Sequence, residues 1–158
     1  MWGILGVVGL LGSSVVRLAG PAVELVHHAL GPVHLVVLVV WVAFMLYAEA
    51  WRGFHKQFSP RVVQRAFTLP DVLHVRLLAP VVCMGLVHAT RKRRIVGWSL
   101  VTGIVLLVIV VRQLAQPWRG IVDVGVVLGL AGGTLSIVWH AVRALQGTLP
   151  GVPADWPE

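Results

Sequence analysis

The chain has 158 residues, of which 58% are hydrophobic and only 12% charged, and its mean hydropathy is +0.88. An average soluble domain carries about 25% charged residues, so this composition excludes a soluble globular protein. The apolar content also excludes disorder, and a single cysteine, Cys83, excludes a disulfide scaffold. Thirteen Lys and Arg against six Asp and Glu give a net charge of +7. Beside apolar spans such charge sets topology and meets anionic headgroups. Nucleic acid is not an expected partner, because no segment between the spans is long enough to fold as a binding domain.

A membrane crossing takes about 20 mostly apolar residues, since lipid offers backbone groups no partner and a helix satisfies its own. The first such segment, about 1–19, has Gly3, Gly6, Gly9 and Gly12 at every third position, a face suited to close helix contact. It lacks the basic leader and cleavage site of a signal peptide. Beyond it Arg17, Glu24 and His28 form a polar stripe interrupted by Pro21. The pattern fits one kinked helix from Trp2 to about Leu30, or a short span followed by an interfacial helix. Gly31-Pro32 then leads into a second apolar run, 33–50, carrying Trp41 and Tyr47.

Residues 51–71 read as a basic interfacial loop. Ser59-Pro60 has the form of an N-cap and first helical residue, and Pro70 stops the helix they open. Trp51, Phe54 and Phe58 recur at helical spacing beside Arg52 and Lys56, with Arg61 and Arg65 following. These features predict an amphipathic element lying on the membrane, its aromatics down and its Arg52, Lys56, Arg61 and Arg65 toward anionic lipid.

The next segment, 72–90, is long enough to cross but contains His74, Arg76, Pro80 and His88. Basic residues precede it, and Arg91, Lys92, Arg93 and Arg94, also expected at anionic headgroups, follow it. A crossing here would put one basic cluster on the opposite face; a re-entrant hairpin broken near Pro80 would keep both on one side. Both arrangements fit. Two plain spans follow, 95–111 without a charge and 121–142 after Pro117-Trp118-Arg119-Gly120. Gly125, Gly129 and Gly133 make two consecutive G-x-x-x-G steps, which predict close packing on Ser99 and Gly103 of the preceding span or on another chain. Residues 144–158, with Pro150, Pro153 and Pro157, read as a short, flexible polar tail. The fold expected is all-α: one multi-pass membrane domain over 1–143, with four to five membrane-embedded helices. Its basic loops fit a bacterial cytoplasmic (inner) membrane.

Few residues offer chemistry. His34, His88 and His140 would lie near one membrane face if 72–90 crosses, and could then ligate haem or a metal ion. Asp123 follows Arg119 by four residues, a helix-start pair that with Glu24 makes a candidate ion path. Glu49 reads as interfacial, at the end of its span. There is no nucleophile elbow, phosphate-cradling loop, carboxylate cluster or cysteine pair. The expected function is therefore non-enzymatic and without a cofactor: a scaffold or accessory subunit that docks a membrane-protein partner or a further copy through its glycine faces. A His-ligated haem or metal protein and a small proton- or ion-coupled transporter are the alternatives.

Overall fold

The computed structural model describes residues 2–156; Met1, at the start of the first predicted segment, and Pro157 and Glu158, at the end of the predicted tail, lie outside them. Every regular element among the described residues is helical. Four continuous helices among them are long and apolar enough to cross a membrane: Trp2–His27, Pro32–Phe67, Arg91–Val111 and Trp118–Leu145.

The first is α1, Trp2–Glu24, with Pro21 inside it and a 3₁₀ turn over Leu25–His27, so it runs on as one helix. The second starts as α2, Pro32–Met45, and differs from the expected span plus loop. It continues without a break through a π-helical segment, Leu46–Phe58, into α3, Ser59–Phe67. At about 1.5 Å per residue this 36-residue rod is roughly 50 Å long, longer than the roughly 30 Å of hydrocarbon a span needs to cross. Ser59 is consequently no N-cap: it lies inside the rod where π pairing returns to α, and its N–H donates to Phe54 O. Pro60 brings no N–H to that junction, which suits a place where the hydrogen-bond register changes.

α7, Trp118–Leu145, is the hub: α1, α2, the π segment and α3 all pack on it. Contacts fix the directions. Leu25 at the end of α1 sits over Gly120 at the start of α7, while Ile4 and Val7 pack with Ile137, Ala141 and Ala144 at its finish, so α1 and α7 are antiparallel. His34 stacks near Trp118, Trp41 meets Gly125, and Phe54 meets Gly133, so the long rod runs parallel to α7. α4, Leu73–Leu77, and α5, Ala79–Cys83, are five residues each, too short to cross. α5 lies against Gly3 and Gly6 of α1, at the end where the rod delivered the chain. Segment 72–90 therefore begins and finishes at one end of the bundle, the hairpin arrangement, and α6, Arg91–Val111, leaves from there.

That shared end holds Arg52, Lys56, Arg61, Arg65, Arg76, the Arg91–Arg94 run and Arg143; Arg17, Arg112 and Arg119 are the cations left over. We refer to it as the basic end. The tightest packing is also here, where Ile4, Val7, Val62, Val63, Cys83, Ile137, Ala141 and Ala144 form one buried cluster. Elsewhere the helices turn Val, Leu and Ile outward, as lipid-facing surfaces do.

A Cβ on Gly133 would collide with the Phe54 ring, whereas nothing lies within 4 Å of one on Gly9 or Gly12. We expect Gly133→Leu to lower the thermal midpoint in detergent, overpacking costing about 1–3 kcal/mol. Gly9→Ala should leave that midpoint unchanged or raise it.

Candidate functional site

The two G-x-x-x-G steps of α7 lie against the long rod. Gly125 receives Trp41 and Met45, Gly129 receives Glu49, Gly132 receives Ala50 and Gly133 receives Phe54. Large side chains thus fill the room the glycines leave, and Trp41 Nε1 donates to Val122 O at 3.2 Å across the same seam. The packing partner is therefore the α2 rod; Ser99 and Gly103, expected opposite these glycines, are exposed on α6. The π segment decides which rod residues reach the seam. Trp41, Met45 and Glu49 follow at steps of four, but Phe54 follows Glu49 at a step of five. Continued α pairing would have turned Arg52 toward α7; i→i+5 pairing rotates it out and keeps Glu49 in.

Glu49 therefore faces the seam and is half-buried there, not at the outer interface that its place at the end of the span suggests. Its Oε2 is buried with no hydrogen-bond partner, and a Cβ built on Gly129 would lie 2.6 Å from it. Toward the basic end the seam opens into a lateral groove of about 550 Å³ lined by Leu46, Ala50, Trp51, His55, Gly132 and Ser136, among others. His55 Nδ1 is hydrogen-bonded to Ser136 Oγ at 2.9 Å, and the His140 ring lies 4.9 Å from the His55 ring. His140 Nε2 donates to His55 O at 3.3 Å. Trp51 stacks on His55, with Lys56 5.4 Å over the indole.

A second polar centre closes the basic end. Arg65 is 2% exposed, so it cannot meet lipid headgroups as sequence suggested; its partners are backbone carbonyls. Nε donates to Ala154 O at 2.6 Å, Nη1 to Val82 O at 2.5 Å, and Nη2 to His88 O at 3.2 Å and Asp155 O at 3.0 Å. The Trp156 ring packs 4.7 Å from the guanidinium, and Thr90 N donates to Asp155 O. Residues 154–156 are thus fastened to the bundle, where composition alone suggested a flexible tail. Cys83 lies beneath this layer, 2% exposed, and burial pushes its thiol up to about 11 against the opposing pull of the Arg65 charge.

The other sequence candidates separate. His34 stands beside Trp118 at the end opposite His88 and His140, so these three do not form one ligand set. No group of three or more His, Cys, Asp or Glu able to hold a metal ion occurs among the described residues. Arg119 and Asp123 are together, 3.7 Å apart with Asp123 buried, but Glu24 is exposed at the end of α1. Arg52, Lys56, Arg91, Lys92 and Arg94 are exposed; Arg61 is half-buried, and Arg93 is half-buried beside Gly85.

α6 differs from the other long helices. Of its residues only Val111 is buried, and no other element packs along it among the described residues. The partly shielded positions Arg93, Gly97, Val101 and Val108 fall on one side. Ser99, Thr102, Gly103 and Leu106 fall on the opposite side, in a shallow groove of about 600 Å³ with Arg94 and Trp98 at its basic-end mouth. Comparison with protein-family models, with curated proteins and with solved structures finds no match.

Arg65→Met should leave the His88 and Ala154 carbonyls unpaired, remove one of two donors from Val82 O and Asp155 O, and destabilise the protein by about 2–4 kcal/mol, with backbone hydrogen exchange rising sharply over 148–156. Cys83 should resist a maleimide at about pH 7.5 in the folded protein and react once the chain is denatured.

Proposed function

We propose that the protein is a non-enzymatic membrane scaffold or accessory subunit that offers α6 to a transmembrane helix of another chain. The observation that carries this reading is the α6 face itself. A helix apolar enough to cross, with no other element packed along it among the described residues, leaves Ser99, Thr102 and Gly103 uncovered. Small residues at such spacing let a second backbone approach closely, and dispersion and hydroxyl contacts then hold helices in a solvent that supplies no hydrophobic drive. The glycines of α7 are already filled by Trp41, Glu49 and Phe54, so they leave no docking room of their own.

The basic end faces the cytoplasm in this reading, because Lys and Arg near span ends are retained there, and a bacterial cytoplasmic membrane is the setting it fits. Exposed Arg52, Lys56, Arg91, Lys92 and Arg94 contact anionic headgroups, at about 1 kcal/mol each. Together they hold the rod and the root of α6 at one depth.

Cysteine placed in turn along residues 95–108, in native membranes under mild oxidation, tests the reading. Cross-links to another chain should peak at Ser99→Cys, Gly103→Cys and Leu106→Cys and be weak at Gly97→Cys and Val101→Cys. Cross-links absent throughout, or lacking helical periodicity, would sink the proposal.

A further inference from the structure

Glu49 is not needed for docking through α6, and its surroundings point to a different activity. It stands inside the stretch of α7 bounded by Asp123 and Arg143, level with Gly129, roughly 9 Å along the helix from Asp123 and roughly 10 Å from Ser136. One carboxyl oxygen is buried with no donor. A carboxylate in that state is costly in a low-dielectric seam unless a cation or a proton neutralises it. Neither neighbouring helix offers a cation at its level. On α7 the facing position is Gly129, and Arg119 is engaged with Asp123 nearer the other end. On the rod Arg52 and Lys56 are exposed, and α2 brings Trp41 and Met45 to the seam. A proton is the neutralising ion that needs no further ligand.

The approach to Glu49 is lateral and lengthens toward the basic end. Toward the far end, Trp41 and Met45 close over Gly125, and the indole is hydrogen-bonded to Val122 O. The lateral groove flanks Glu49, from Leu46 past Ala50 and Gly132 toward the basic end, where it is lined by the hydrogen-bonded His55–Ser136 pair; His140, outside the groove, donates to His55 O. The His55 imidazole and the Ser136 hydroxyl, bonded to each other, are able to pass a proton, each accepting on one side and donating on the other, whereas His140 reaches only the His55 carbonyl and is not a link in that sequence. We propose that Glu49 is a proton-binding site on the rod–α7 seam, loaded and emptied from the basic end through the groove lined by His55 and Ser136.

Dicyclohexylcarbodiimide, an apolar reagent that adds the O–H of a protonated carboxyl group across its C=N bond, tests this on the full chain in phosphatidylcholine vesicles, with adducts mapped by mass spectrometry. Glu49 should be modified ahead of Glu24, Asp71, Asp123 and Asp155, and Glu49→Gln should remove that adduct. Above the titration point the rate should fall about tenfold per pH unit. In oriented vesicles, raising the pH at the basic end alone should slow the reaction, and raising it at the far end should not. His55→Leu should blunt this one-sided response while the adduct still forms. Faster labelling of another carboxyl, a rate indifferent to pH, or control from the far end would overturn the proposal. Protection by sodium ions at fixed pH would overturn it in favour of a cation site.

Discussion

A guanidinium buried at the meeting point of four chain segments governs the basic end. Arg65 spends four of its five N–H donors on carbonyls from α5, the loop before α6, and the C-terminal segment. Lysine could not do this, because an ammonium is a point charge without a fork, and a neutral residue would strand the His88 and Ala154 carbonyls. The ionic partner usual for a buried charge is replaced by aligned backbone dipoles and an indole face. This closure sets where the hairpin sits, from which end α6 departs, and how the buried cluster around Val62, Val63 and Cys83 is kept from water.

The seam between the rod and α7 is organised by a different economy, one of volume. Four glycines on α7 are matched by an indole, a carboxyl, a methyl and a phenyl from the rod. Close backbone approach makes the bundle tight without needing polar glue, and it leaves the polar groups that are present, Glu49, His55, Ser136 and His140, free for another use. The π segment is the device that joins these facts. By lengthening the repeat from four residues to five, it lets one helix present a packing face and then a polar face to the same neighbour.

How much of this was legible beforehand follows from the range of the forces involved. The long apolar helices were readable because lipid leaves the backbone no other choice, so a run of Val, Leu and Ile is sufficient evidence despite its β-propensity in water. The hairpin at 72–90 was half-legible: two flanking basic clusters argued for a return, but residue length alone allowed a crossing. In sequence the rod beyond Ala50 reads as a loop, because Arg52, Lys56 and Ser59-Pro60 mimic an interface and a helix start. Glu49 reads as interfacial for the same reason, since its place on the seam depends on a π register that leaves no 3.6-residue signature. Arg65 offered no signal at all. Its acceptors are main-chain carbonyls, which every residue possesses, at separations from 17 to 90 residues. The one hint toward the Glu49 seam was the G-x-x-x-G spacing of α7, which announces a close neighbour without saying what that neighbour carries.

The separation between Arg65 and its last acceptors also has a temporal meaning. Ala154 and Asp155 are synthesised about 90 residues after the arginine they bind. At a translation rate of roughly 5–20 residues per second, that is an interval of roughly 5–20 s. Throughout it the guanidinium must stay with water or with lipid phosphate, because half of its cradle does not exist. The basic end is therefore assembled last, and the newborn bundle passes through a stage in which its four long helices are already made while their common end remains open.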